Sequence, residues 1–316
     1  MEHREKKRRI GILGAGAQGT QFGWHLATAG DVTYLDVRPD LCAKLEHEGV
    51  AVAGGARRAV RATTDPSALF ESDVIFVFVK AYDTLRALRP FAGRLNPSTT
   101  IVSLQNGLGN EEAIKASLGS VVALVVGTTD EVSIPIGVGQ VRRVGAGRTV
   151  VGSAGASAAV VEQTAALIEA AGLDAHVAYD IRPHVWGKLL VNAAINPVSA
   201  LLDCTAGAVI EEPDSAALAR AIALESATIA RAANIRLPFS DPWAFVRESV
   251  PLTANVPSTM AIDLAGGRRT EVEQINGALV ATGRRSGTPA PYNDAMLRLI
   301  KARERLVAGA AAEAAV

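Results

Sequence analysis

Cysteine is scarce in this chain of 316 residues: Cys42 and Cys204 are the two present, in unrelated segments. Two isolated thiols build neither a disulfide framework nor a metal site, and such usage fits a reducing compartment. An excess of one charge is missing too. The 32 basic residues are matched by 32 acidic ones, so no overall field draws the chain to nucleic acid or to a membrane surface. No apolar stretch runs uninterrupted for the roughly 18 residues a membrane span needs. Internal repeats are absent as well. Arg4 to Arg9 is strongly basic and precedes an apolar-looking stretch, as a signal peptide would. Gln18, Gln21 and His25 interrupt that stretch, and a short solvated arm is the expectation. The length favours two domains, each able to bury its own core. A cytoplasmic protein without nucleic-acid or membrane partners is expected.

What is present begins with a strand, Arg9-Ile10-Gly11-Ile12-Leu13, that runs into Gly14-Ala15-Gly16-Ala17-Gln18-Gly19 and an amphipathic stretch to Gly30. A strand, glycine turn and helix in this order grip the pyrophosphate of a dinucleotide. Gly14 permits the tight turn, Gly16 lets the backbone approach the phosphates, and Gly19 lets helix and strand pack closely. The helix N-terminus then offers unpaired N–H groups to the anion. Val32 to Asp36 reads as a second strand, and its acid lies 22 residues beyond Gly14, where such folds place a ribose-binding carboxylate. Asp36 therefore points to NAD(H). Arg38, two residues on, is of the type that clamps a 2′-phosphate, which points to NADP(H).

The first half continues to alternate. A helix is expected over 39–48, a small hairpin around Gly54-Gly55, and buried strands at 74–79, 100–104 and 121–126. Continuous apolar runs of this kind belong to a parallel sheet covered on both faces, here a doubly wound α/β sheet. Short strands at 140–144 and 148–152, suggesting an antiparallel extension, a helix at 157–171 and a strand at 174–178 close a Rossmann-type domain over residues 1–180. Beyond it the strand signals vanish. Segments 184–203, 213–234, 241–250, 258–265, 270–286 and 290–307 show apolar residues at helical spacing, predicting an all-α domain over 181–316.

Several polar residues stand out. Lys188, Asn192 and Asn196 share one face of an otherwise apolar helix, so they must find partners or line a polar cavity. Pro197 should kink that helix near Asn196. Lys80 ends the third buried strand, at the carboxyl edge where α/β sheets bind ligands. The turn 103–110 presents Asn106 at the same edge. In a helix over 270–286, Glu271 shares the apolar face with Ile275 and Ala278 while Glu273 points away, and a buried carboxylate needs a partner such as a lysine.

The GAGAQG entry, the Val79-Lys80 pair, the LQNGLGNE turn, the W-x-K-L-L-x-N-x-x-x-N-P segment and the TEVEQINGAL stretch follow one another in order between about Ile10 and Ile300. Together they resemble the ketopantoate reductases (2-dehydropantoate 2-reductases). The resemblance implies reduction of 2-dehydropantoate to pantoate in pantothenate biosynthesis, with NADP(H) as the usual cofactor and NAD(H) the alternative that Asp36 raises. It implies a dinucleotide held by Gly14, Ala15, Gly16, Ala17, Gln18 and Gly19, with Asp36 and Arg38 at the ribose and Lys80 and Asn106 near the nicotinamide. Lys188 matches the general acid on the substrate carbonyl, and Glu271 the acid that supports it. Asn106, Asn192, Asn196 and Thr259 match substrate-binding positions, with Thr259 in place of the usual serine. A short 2-oxo acid would bind in a cleft between the domains of a monomer or homodimer. Val256 and Ile262 stand where amides are common, which makes the expected pocket more apolar and leaves as alternatives a different branched 2-oxo acid or another 2-hydroxy-acid dehydrogenase on the same scaffold, acting on a branched or aromatic hydroxy acid. A dinucleotide-sensing protein without chemistry is the alternative of another class, and it would need neither Lys188 nor Glu271.

Overall fold

The computed structural model describes residues 7–119 and 122–314. Arg4, at the start of the expected arm, and Val121, at the start of the expected strand 121–126, lie outside them. The chain divides into two compact units. One runs to Ile181 without Asn106–Gly109, and the other comprises Asn106–Gly109 and the chain from Arg182 onward.

The first unit alternates strand and helix: β1 (Arg8–Leu13), α1 (Ala17–Leu26), β2 (Gly30–Leu35), α2 (Pro39–Glu48), β3 (Ala51–Val52), β4 (Arg61–Thr63), β5 (Val74–Val77) and α3 (Thr84–Leu88). It continues through β6 (Thr100–Ser103), α4 (Asn110–Leu118), β7 (Ala123–Thr129), β8 (Val132–Gly137), β9 (Gln140–Gly145), β10 (Thr149–Ser153), α5 (Ala158–Ala170) and β11 (Ala175–Val177). The large sheet has the order β11-β10-β7-β6-β5-β1-β2-β4. From β4 to β7 every pairing is parallel, the strand order of a Rossmann-type dinucleotide fold. β10 then adds antiparallel to β7, as expected of segment 148–152, whereas segment 140–144, expected in the same extension, forms β9 of a separate small sheet, antiparallel to β8.

Both sheet faces are covered. Val74 and Phe76 of β5 enter one core with Ile10, Ile12 and Phe22, whereas Ile75 and Val77 enter the other with Leu13, Leu88 and Ile101. The two-residue strand period sends neighbours to opposite faces, so a strand buried on both sides reads as one apolar run. The hairpin expected around Gly54-Gly55 is closed by one antiparallel bridge, in which Val50 and Arg58 exchange both backbone hydrogen bonds at 2.9 Å. β3 pairs with β9 in a small sheet that also holds β8, and β4 joins β2 at the edge of the large sheet.

The second unit is helical: α6 (Arg182–Leu202), α7 (Ala206–Glu211), α8 (Pro213–Ala232), α9 (Pro242–Ser249), α10 (Thr259–Ala265), α11 (Asn276–Ser286) and α12 (Pro291–Ala314). Side-chain caps start several of them. Thr205 accepts the Ala208 N–H, Glu212 those of Asp214 and Ser215, Asp241 those of Trp243 and Ala244, and Ser258 that of Ala261. Each cap satisfies amides that the first helical turn leaves unpaired. α6 is long and apolar enough to cross a membrane by length and composition, yet here it is the buried axis of the unit. Its Leu189, Leu190, Ala193 and Ile195 lie in one core with Ala219, Ala223 and Ala227 of α8.

The helix expected over 270–286 starts later, at Asn276. The Thr270 amide and hydroxyl both donate to Glu304 Oε1 at 2.7 Å, and the Gly277 amide reaches back to the Val272 carbonyl at 2.9 Å. Residues 271–275 are thereby held in a turn. Glu271 is buried there, ahead of the helix expected to place it on one face with Ile275 and Ala278.

Candidate active site

The glycine turn separates into positions that the fold requires and one that it does not. Gly14 has φ +101°, and a Cβ there would sit 2.7 Å from the Val79 amide. A Cβ on Gly19 would lie 2.0 Å from the Gly14 carbonyl oxygen. At Gly16 the backbone has φ −70°, open to any residue, and a Cβ would meet nothing within 4 Å. The fold alone gives no reason for glycine at Gly16; a group drawn up against the backbone does. Gly16 also caps α1 without a side-chain bond, and the first turn of α1 carries no acid. The helix N-terminus thus keeps its amides and positive potential for an anion, so these residues fit a dinucleotide pyrophosphate.

Asp36 lies just past β2. Its Oδ2 accepts the Ala15 amide at 2.9 Å, while Arg38 donates from Nε to Oδ1 at 3.0 Å and from Nη2 to Oδ2 at 3.3 Å. Burial on its own would raise the Asp36 carboxyl, but the Arg38 and Ala15 hydrogen bonds outweigh it and hold the group below the ordinary aspartate range. The same pairing holds the Arg38 guanidinium above its ordinary value. The two residues that argued for different cofactors are therefore bonded to each other.

Gln18 is tied into the protein as well. Its Nε2 donates to the Glu131 carbonyl at 2.6 Å, and Gln21 donates to Glu131 Oε2 at 2.6 Å. Arg143 bonds both carboxylate oxygens of Glu131, through Nε at 2.7 Å and through Nη2. Sequence reasoning missed Glu131, Gln21 and Arg143, because the partners lie 12 and 110 residues apart and carry no periodic signal. Gln105 was missed too. It donates to the Val79 carbonyl at 2.7 Å and to Thr84 Oγ1 at 2.8 Å, and accepts from Ser103 at 2.9 Å. These bonds hold the backbone beside the half-buried Lys80, which begins a short turn after β5.

In the second unit, Lys188, Asn192 and Asn196 all lie on α6, the amides buried and the lysine half-buried. Asn192 Nδ2 donates to Asn106 Oδ1 at 3.3 Å, joining two of the expected substrate-binding residues across 86 positions of sequence. The Asn106 segment is held by the Leu108 amide, which donates to the Gln274 carbonyl at 2.9 Å. Gly107, at φ +83°, lies so close that a Cβ would sit 2.6 Å from that same carbonyl. Thr259 is exposed on the first turn of α10, and its neighbour Ser258 is buried, donating to the Asn196 carbonyl at 3.1 Å. α6 runs through Pro197 to Leu202. Since Pro197 has no N–H, the Ala193 carbonyl loses its helical donor. Asn276 Nδ2 supplies one, at 3.2 Å.

Two family models cover the chain. The one described as ketopantoate reductase PanE/ApbA matches residues 10–156, and its C-terminal counterpart matches residues 180–304. A 2-dehydropantoate 2-reductase of Archaeoglobus fulgidus is 34% identical over 94% of this chain and 98% of its own length. The chain belongs to the ketopantoate reductase family. A second such reductase, from Halobacterium salinarum, is 33% identical over 94% of this chain and 99% of its own. The crystal structure of a PanE/ApbA family ketopantoate reductase from Ralstonia eutropha superposes with a TM-score of 0.85 at 28% identity, covering 95% of this chain and 99% of the other. Ketopantoate reductases are dinucleotide-dependent oxidoreductases acting on a CH–OH group, which agrees with the glycine turn described above.

Proposed function

We propose that this chain reduces 2-dehydropantoate to pantoate with NADPH, as a cytoplasmic enzyme of pantothenate biosynthesis. Full-length similarity to relatives named for that reaction carries the reading. The bound dinucleotide supplies the hydride. The chain's own part is to hold the 2-oxo acid, polarise its carbonyl and deliver a proton to the same oxygen. Lys188 is assigned to that oxygen: its ammonium stabilises the charge that develops as the carbonyl becomes an alkoxide, then gives up a proton to form the hydroxyl. Solvent returns the proton to the amine. Glu271, buried in the turn before α11, is assigned to orient the ammonium. Asn106, Asn192 and Asn196 supply amide groups for the carboxylate and hydroxyl of the substrate, with the Thr259 hydroxyl at the edge of that set.

Gly14 to Gly19 are assigned to the pyrophosphate and Lys80 to the nicotinamide side. For the ribose, Asp36 is read as the holder of Arg38. Its oxygens already accept the Ala15 and Arg38 donors, while the Arg38 side chain is 56% exposed and keeps further N–H groups for a 2′-phosphate. The test is steady-state oxidation of NADPH and of NADH with 2-dehydropantoate and a panel of other branched 2-oxo acids. The expected result is highest kcat/KM with 2-dehydropantoate and NADPH. A Lys188→Ala enzyme should lose about 100-fold or more in kcat. Near-normal turnover by that variant would remove Lys188 from its assigned role.

A further inference from the structure

Resting on the reading above, we infer that Asn276 is a positioning residue, whose side-chain amide locks the turn carrying Glu271 onto the helix carrying Lys188. Asn276 has no exposed surface. One hydrogen of its amide goes to the Ala193 carbonyl at 3.2 Å, and the other to Asn293 Oδ1 at 3.0 Å. A backbone carbonyl only accepts, so the nitrogen must face it. Asn293, equally buried, donates to Glu225 Oε1 at 2.8 Å. The Glu225 carboxylate is itself fixed by the Tyr292 and Asn293 amides at 2.9 and 2.8 Å. A continuous chain of hydrogen bonds thus runs from α8 through α12 and the start of α11 to α6.

The point of attachment is specific. Ala193 follows Asn192 directly and lies five residues beyond Lys188 on the same helix, and its carbonyl is available because Pro197 cannot serve it. On the other side, Asn276 is five residues from Glu271. The amides of Gln274 and Ile275 both bond the Glu271 carbonyl, at 3.1 and 3.0 Å, so the turn transmits its position to the carboxylate. A second link closes a ring. Gln274 holds Leu108 through its carbonyl, and Asn106 in the same short segment accepts from Asn192 on α6. Proline and asparagine act here as a pair: one frees an acceptor on the lysine helix, and the other fills it from the carboxylate turn. A stabilising role alone would be met by an ordinary residue at 197, whose N–H completes the helix.

That contrast gives the test. Asn276→Ala, Pro197→Ala and the double variant are compared with wild type in four readouts. These are thermal midpoint, NADPH dissociation constant, steady-state kinetics with 2-dehydropantoate, and the labelling rate of Lys188 by an amine-directed reagent, read by peptide mass spectrometry. Asn276→Ala should bind NADPH within about twofold of wild type and lose about tenfold or more in kcat, with a smaller change in KM. Lys188 should be labelled at least about threefold faster once the turn is released. The double variant, whose residue 197 again offers an N–H to Ala193, should recover thermal stability but neither kcat nor the wild-type labelling rate. Recovery of all three together would overturn the inference, since Asn276 would then do no more than fill a carbonyl. If Asn276→Ala does not fold, Asn293→Ala, which loosens the same amide, is held to the same outcomes. A wild-type enzyme inactive on 2-dehydropantoate would refute the proposed substrate, and the labelling rates would still decide the clamp.

Discussion

Glu131 and Arg143 form an ion pair inside the first unit, Arg143 donating through Nε at 2.7 Å and through Nη2 to a carboxylate with no exposed surface. The pair also binds the helix of the glycine turn, since Gln21 shares the carboxylate and Gln18 takes the Glu131 carbonyl. Removing one partner of a buried pair leaves the other charge uncompensated. Glu131→Ala should therefore cost about 3–5 kcal/mol. Urea denaturation of the two proteins measures it, and a loss below about 1 kcal/mol would mean the pair is no better than a surface one.

Gly16 and Gly19 should part company on substitution. Gly16→Ala adds a methyl group that meets no protein atom, so its thermal midpoint should stay within about 2 °C of wild type. Its affinity for the dinucleotide should fall by about tenfold or more, because the methyl occupies the approach to the backbone. Gly19→Ala drives a methyl into the Gly14 carbonyl and should fail to fold stably. Calorimetry with a cofactor titration separates the two, and equal effects from both substitutions would count against the cradle.

Arg38→Ala should weaken NADPH more than NADH. A charge-assisted bond to a phosphate contributes about 1.5–3 kcal/mol, so KM for NADPH should rise by about 10–100-fold with NADH nearly unchanged. An equal rise for both cofactors would assign Arg38 to the turn rather than to a 2′-phosphate.

His25 makes stability fall on mild acidification. Burial pushes its imidazole below the ordinary value, and this outweighs the bond to the Ala171 carbonyl, with Arg143 adding to the lowering. The unfolded chain therefore takes up a proton first. Stability is at its full value above the unfolded imidazole's pKa of about 6.5, and declines as the pH falls towards the lower folded value. In His25→Gln the loss of urea midpoint between about pH 7.5 and about pH 5.5 should be smaller than in wild type. An identical loss would place the acid sensitivity elsewhere.

The elements whose cause is local were legible in the sequence. The strand, glycine turn and α1 follow from a two-residue period, three glycines and a 3.6-residue period. The buried strands β5 and β6 follow from unbroken apolar runs, and α6 from its apolar spacing around Lys188, Asn192 and Asn196. Glu271 shows where such reading ends. Its helical periodicity is real, but Glu304, 34 residues from Thr270, captures the backbone and delays the helix to Asn276. β3 shows the same limit, since β9, its ladder partner, lies far along the chain.

Taken by itself, the sequence determined which stretches become strand or helix and which side chains seek a core, because those preferences arise between residues a few positions apart. Tertiary structure alone decided which buried polar groups meet: Glu131 with Arg143 and Gln21, Asn192 with Asn106, Asn276 with the carbonyl that Pro197 frees. The reason is physical. Burying an apolar side chain is favourable against almost any neighbour, whereas a buried donor, acceptor or charge is tolerated only beside its own partner, and that partner arrives from a distant part of the chain.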